Sequence, residues 1–340
     1  MHRRRDATFG CFMAHEQFTP SRLLHYSRVG EEAGFDWVWS SDHFHPWFET
    51  RASAGFAWTW MSAALSQIPR VRFGTAVTPP YLRYHPALVA QAFATMGVMF
   101  PGRVFAGVGL GEAMNEVPLG YRWGDVPTRV AMFEEALRVI RLLWNGGFVD
   151  FEGKYFSLKG AKLYTLPKRR VPLIVVTNHP AVAEIAGKYA DGLYTSVTDT
   201  SRLQNSLFPA LERGAKSAGR DSENLIKGLH LGGLSLGTRA EAVKAYSRWR
   251  GSFVKNVFAQ NVFDPREIEK MGASIPEDEL VSHLLISRDP EAYLRRTRTF
   301  LEMGFDHIVF GSAGPRFESF LRFVGARVLP TLRNEFNGSH

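Results

Sequence analysis

The chain is predicted to fold as a single (β/α)8 barrel with insertions at one face, and three observations predict it. Short apolar runs alternate with helical patterns from one end to the other, no composition shift or large break divides the chain, and its 340 residues suit one barrel with insertions. The runs rich in β-branched and aromatic residues are, in order, 8–13, 37–41, 71–77, 103–110, 172–178, 192–197, 226–236 and 307–311, each short enough for a strand. Between them lie helices. Val130, Phe133, Leu137, Ile140 and Trp144 recur at helical spacing until Asn145-Gly146-Gly147 stops the pattern, as glycine does past a helix end. Phe317, Phe320, Leu321, Val324 and Val328 repeat that spacing near the end. Two stretches break the alternation. Residues 149–156 read as a hairpin turning at Glu152-Gly153, and 254–279 as an insertion of mixed composition, of the kind that shapes or covers a barrel's mouth.

Composition narrows the functional classes. A hydrophobic fraction of 45%, with 26 phenylalanines and 8 tryptophans, supplies an ample core. Cys11 is the one cysteine, so an internal disulfide and a cysteine-rich metal site are both excluded; it reads as a small buried residue of the first strand, and a reducing cytoplasm suits the chain. No metal is expected. The net charge of +8 favours an anionic ligand or an acidic partner, but the basic residues are scattered rather than gathered with aromatics, which argues against nucleic acid. No apolar run reaches the ~18 residues of a membrane span. Met1-His2-Arg3-Arg4-Arg5 starts like an export signal, yet Asp6-Ala7-Thr8-Phe9-Gly10 supplies no apolar core for one, so the segment reads as a frayed terminus.

The chemistry gathers in two blocks, Ser41-Asp42-His43-Phe44-His45-Pro46-Trp47 and Gly109-Leu110-Gly111-Glu112-Ala113-Met114-Asn115-Glu116, each directly after a predicted strand. In a barrel, that is the end where active sites are built. Histidine suits proton transfer near neutral pH, and a carboxylate arriving from a different strand can pair with it. His45, followed by Pro46, reads as a loop-packing residue. Gly107-Val108-Gly109-Leu110-Gly111-Glu112 begins like a dinucleotide fingerprint but ends in glutamate, which would face a pyrophosphate, so that reading fails.

Four blocks in order carry a more specific signal: residues 41–47, Arg83-Tyr84-His85-Pro86-Ala87, residues 89–96, and Gly111-Glu112-Ala113-Met114-Asn115-Glu116-Val117-Pro118. Together they resemble the bacterial luciferase-like superfamily. Within it they resemble the branch using the deazaflavin coenzyme F420, which includes secondary-alcohol, glucose-6-phosphate and hydroxymycolic acid dehydrogenases; the similarity runs over about residues 8–329. The resemblance implies an F420-dependent alcohol oxidoreductase, paired into a homodimer. It implies His43 as base, with Trp47 over the reacting carbon, Glu112 as a proton donor to the coenzyme's ring nitrogen, and Glu16 as a second glutamate on the first loop. For the coenzyme it implies Asp42 and Asn115, a bulge at Thr75, Ala76 and Val77 with a cis peptide between the last two, and a phosphate cradle at Asn178, His179, Pro180, Ala181 and Val182 helped by Thr195 and Ser196. Asn178 and His179 stand where a glycine pair is common in the family.

The substrate expectation rests on a departure. By resemblance, the sugar-phosphate enzymes hold the phosphate with two lysines and an arginine at positions that are here Thr198, Ala259 and His283. Without those cations a dianion would be desolvated unpaired. A neutral alcohol or its ketone is therefore expected, with Lys255 and Lys270 as the residues that would restore phosphate binding under a shifted alignment. A sugar or sugar phosphate, a hydroxylated lipid, and an FMN-dependent monooxygenase reaction stand as alternatives.

Overall fold

The computed structural model describes residues 5–254, 257, 261–314 and 316–337. Eight parallel strands, β1 (Thr8–Met13), β2 (Trp37–Ser40), β3 (Arg72–Thr75), β4 (Val104–Val108), β7 (Leu173–Val176), β8 (Gly192–Thr195), β9 (Ile226–Leu231) and β12 (His307–Phe310), close into a barrel in the order β1-β12-β9-β8-β7-β4-β3-β2. All eight predicted runs are strands. The first matches its run, and the other seven end earlier than the sequence suggests, the trimmed residues lying mostly at the C-terminal ends. The run 71–77 pairs only to Thr75 and then turns across the mouth, where Thr78 makes an isolated bridge to Val108. The run 226–236 breaks at Gly232-Gly233, and Leu234–Ser235 leaves as β10 to pair with β11 (Leu285–Ile286). A run of apolar residues does not distinguish ladder from mouth, since the apolar residues that follow the strands here are buried or partly buried too.

An aromatic layer fills the barrel's interior. Trp37, Trp39, Phe105, Ile174, Tyr194 and Val309 form one cluster, with Trp39 stacked on Tyr194 at 4.2 Å between ring centroids. The indole N–H of Trp39 donates to His307 Nε2 at 2.7 Å, and burial pushes the His307 ring down to about 3, so it accepts as a neutral base. Rings of this size need small neighbours. A Cβ at Gly107 would overlap the carbonyl of Thr75, and one at Gly10 would come within 3.1 Å of Trp39. The two largest cavities lie at the mouth, above the plug.

Outside, the helices bury the predicted stripes. In the helix Val126–Trp144, Phe133, Leu137 and Ile140 are fully buried; Asp125 caps its start by accepting from the Thr128 N–H at 2.9 Å, and Gly146 follows its end at φ +83°. The stripe near the end lies on the helix Phe317–Arg327, and a further helix, Leu329–Asn337, follows it. The hairpin is β5 (Val149–Glu152) against β6 (Ser157–Ala161), its turn pinned by Glu135, which accepts the N–H groups of Lys154, Tyr155 and Phe156. The insertion begins earlier than residue 254. It includes the helix Arg239–Tyr246, started by a Thr238–Glu241 capping box, a 3₁₀ stretch Ser247–Phe253, and the helices Pro265–Gly272 and Glu277–Ser282. Val257 and Ile268 pack on Trp47, Phe48 and Met114, so the insertion leans on the residues that frame the mouth. Cys11 is buried, and burial pushes its thiol up, as expected of an inert core residue. Among the described residues no helix is long and apolar enough to cross a membrane, and no cluster of side chains suits a metal ion.

Candidate active site

Three loops converge above the plug. His43 follows β2, Glu16 follows β1 and Glu112 follows β4, and the His43 Nε2 lies 3.3 Å from Glu16 Oε1 and 3.4 Å from Glu112 Oε2. The other ring nitrogen, Nδ1, meets the His45 carbonyl at 3.0 Å. Glu16 is itself held: the Ser41 hydroxyl donates to its Oε2 and accepts the His15 N–H at 2.8 Å. Asn115 links the two blocks, accepting the Phe44 N–H at 2.8 Å and donating to Glu112 Oε2 at 3.4 Å. Trp47 sits beside the imidazole at 6.3 Å between centroids. His45 packs the loop, its Nδ1 at 3.2 Å from the Phe263 carbonyl.

Electrostatics of this cluster favour a shared proton. Burial opposes charge on His43 most strongly, but Glu16 and Glu112, with the His45 carbonyl, outweigh it and hold the imidazole above its ordinary value. Burial, aided by Glu16, raises the Glu112 carboxyl against the opposing pull of His43. The His43 side chain is only 9% exposed while that of Glu112 is 23% exposed. Glu112 and Trp47 line the larger cavity, and the imidazole touches Glu112 without being among the lining residues.

Beneath this cluster lies an ion network that the sequence reading missed. Arg83, Asp42 and Glu116 are all buried, with Arg83 Nη2 3.2 Å from Asp42 Oδ1 and Nε 3.4 Å from Glu116 Oε1. Asp42 also accepts from Thr78 Oγ1 at 2.6 Å and the Tyr84 hydroxyl at 3.2 Å. Its carboxylate thus ties the 41–47 loop to the chain after β3 and lines neither cavity. Burial pushes Glu116 up to about 7, against the pull of Arg83. Arg83 was part of a quoted block, but sequence spacing gave it no role.

Two adjoining cavities open at the mouth, sharing Phe12, Ser196 and His230. The larger, about 560 Å³, is lined by Ala76 and Val77, joined by a cis peptide, and by Gly111, Ala113 and Met114. Thr75 is buried beneath, its hydroxyl on the Gly107 carbonyl at 2.8 Å. At the far side are Asn178, His179, Ser196 and an unforeseen Arg202. The expectation of open N–H groups there is corrected. His179 caps the helix Pro180–Tyr189 itself, its Nδ1 accepting the Ala181 N–H at 3.3 Å and its carbonyl those of Val182 and Ala183. Val182 is buried, and neither it nor Pro180 or Ala181 lines the cavity. Asn178 is spent on Thr195 Oγ1 and Ser196, and Arg202 donates to the Asn178 carbonyl at 2.6 Å.

The residues fit a deazaflavin. The volume lies in the usual range of ligand pockets, Ala76 and Val77 with Gly111 and Ala113 offer small side chains for a flat ring, and Ser196 and Arg202 offer donors for a phosphate. The smaller cavity, about 390 Å³, is lined by Thr198 and His283, the latter stacked on Phe253 at 5.0 Å. Ala259 and Lys255 lie outside the described residues, and Lys270 is exposed and lines neither cavity. His230, between the cavities, is pushed down to about 4 by burial and shares a 2.8 Å hydrogen bond with the Tyr194 hydroxyl.

Comparison with known proteins agrees with this geometry. Residues 7–307 match the family model described as luciferase-like monooxygenase. The F420-dependent glucose-6-phosphate dehydrogenase of Microbacterium testaceum (strain StLB037) is 37% identical over 329 residues, 96% of this chain and 98% of that protein. The enzyme of the same name from Beutenbergia cavernae is 39% identical over 319 residues, 94% and 95% of the two chains. Among solved structures, an F420-dependent secondary alcohol dehydrogenase in complex with an F420-acetone adduct superposes with a TM-score of 0.91 at 36% identity, covering 96% of this chain and 99% of that one.

Proposed function

The chain belongs to the luciferase-like monooxygenase family, and we propose that within it this protein is a coenzyme F420-dependent oxidoreductase acting on the CH–OH group of a non-phosphorylated alcohol. The observation that carries the reading is the His43–Glu16–Glu112 cluster, whose Glu112 lines the larger cavity. When bound, the deazaflavin supplies a hydride acceptor. The chain supplies the rest. His43 Nε2 takes the hydroxyl proton, and the two carboxylates facing that nitrogen stabilise the imidazolium that forms. Glu112, whose carboxyl burial raises, lies at the cavity wall beside His43 Nε2, placed to exchange a proton there. Trp47, almost wholly buried against the insertion, walls the site and excludes water from it. Ala76, Val77, Gly111 and Ala113 would hold the ring, and Ser196 and Arg202 the phosphate.

The choice of a non-phosphorylated alcohol is supported by the smaller cavity, where Thr198 and His283 carry no permanent charge and Arg296 is the one lysine or arginine among the described lining residues, too little to pair a phosphate dianion. Fluorescence titration with F420, FMN and NADP in turn tests the cofactor reading. F420 is expected to bind at least tenfold more tightly than either alternative; tighter FMN binding with oxygen-consuming turnover would overturn it.

A further inference from the structure

The smaller cavity holds a cation that hydride transfer does not use. Arg296, on the helix Pro290–Glu302, is half-buried and lines the cavity, and its guanidinium makes no hydrogen bond or ion pair with any described residue. Arg298, two residues on, shows the contrast: it is held by Glu291 at 2.7 Å and Glu335 at 2.8 Å. Among the described residues no aspartate or glutamate lines this cavity. The Gln17 side chain also lines it, largely buried and without a partner among the described residues. Two donors with no protein partner among the described residues therefore face one open space, where a ligand's acceptor can meet both.

The position of this space matters. Ala14 and Gln17 line it, and Glu16, between them in the chain, touches His43. The smaller cavity adjoins the larger one, which Glu112 lines, so a ligand can extend from one into the other. His230 lines the same space, and burial keeps it neutral, so Arg296 is the permanent positive charge there. A single guanidinium matches a monoanion in charge, and its planar fork matches two oxygens of one carboxylate.

We propose that the substrate is a hydroxy acid whose alcohol lies at the His43–Glu112 cluster and whose carboxylate seats on Arg296, with Gln17 as a second donor. The inference rests on the alcohol-oxidation reading above. In the step, the C–H bond breaks with its electron pair going to the coenzyme, the O–H proton goes to His43, and a C=O bond forms; the carboxylate is unchanged and the product is an oxo acid. Arg296 acts only in binding.

The test pairs 4-hydroxypentanoate with 2-pentanol, which differ in the carboxylate. In the wild-type holoenzyme the ratio of kcat/KM for the acid over the alcohol is expected to be about tenfold or more, the scale of a hydrogen-bonded ion contact. Arg296→Gln should collapse that ratio through KM, and Arg296→Lys should restore part of it. Calorimetry with 4-hydroxypentanoate reads the seat independently of turnover: affinity should fall about tenfold in Arg296→Gln. An unchanged ratio and affinity in Arg296→Gln overturns the proposal, as does a preference for glucose-6-phosphate over the hydroxy acid. If neither alcohol reduces the coenzyme yet the acid binds in an Arg296-dependent way, the alcohol-oxidation reading fails and the anion seat stands.

Discussion

At the scale of single residues, function turns on one nitrogen. His43 Nε2 faces two carboxylates in a nearly buried site, so the imidazole stays protonated to higher pH than an ordinary histidine. The sign follows directly. Alcohol oxidation needs the neutral ring, so its rate should rise along a limb lying above the ordinary histidine value, while ketone reduction should fall along the same limb. Either Glu16→Gln or Glu112→Gln removes one of the charges that hold the proton, and in both variants the limb should move to lower pH; a pH profile of kcat/KM reads the shift, and an unmoved limb would detach the carboxylates from the titration. The same raised value gives the cluster a contribution to stability that is fully present below the ordinary histidine pKa and lost as pH rises through the raised one. His43→Ala should lower turnover by roughly 10²–10⁴-fold while F420 affinity stays within a few fold, measured by single-turnover kinetics and fluorescence titration.

At the scale of elements, the loops after β2, β3 and β4 are fastened to one another by Arg83, which sits between Asp42 and Glu116 with all three side chains at most 5% exposed. Arg83→Met leaves two buried carboxylates facing each other without a cation. Loss of about 3–5 kcal/mol of stability is expected, read by chemical denaturation; a change under about 1 kcal/mol would mean that the network is not fastening the loops. This network also marks the limit of what the sequence reveals. The eight strands and the main helices were legible because their apolar residues follow fixed periods. His43, Trp47 and Glu112 were legible because they occupy recognisable blocks, Glu16 only through the family resemblance, and the structure brings His43 against both glutamates with Trp47 beside it. Asp42 and Asn115 were assigned to the coenzyme, but their side chains brace the loops, since sequence cannot say which way a buried polar group turns. His179 was read as part of an open phosphate cradle, yet its own side chain closes the helix end. Arg202 and Arg296 lie far from the quoted blocks, with no local pattern to separate them from other surface arginines.

At the scale of the whole molecule, a plugged barrel confines chemistry to the mouth, and the insertion and the strand ends divide that mouth into two joined cavities. The family resemblance implies a homodimer, for which light scattering should return about twice the chain mass of 38.2 kDa; a monomer at micromolar concentration would remove that part of the account. The net charge of +8 draws anions toward the surface, but selection among them depends on Arg202 in one cavity and Arg296 in the other. The central claim is that a CH–OH carbon gives hydride to F420 at this mouth. It is tested most directly by incubating the enzyme and F420, without oxygen, with a secondary alcohol deuterated at the carbinol carbon. The account predicts that deuterium appears in the reduced coenzyme in proportion to ketone formed, that the deuterated alcohol reacts more slowly than the unlabelled one in single turnovers, and that both signals fall together in His43→Ala. Ketone formation only with FMN and oxygen, with no label in F420, would contradict it.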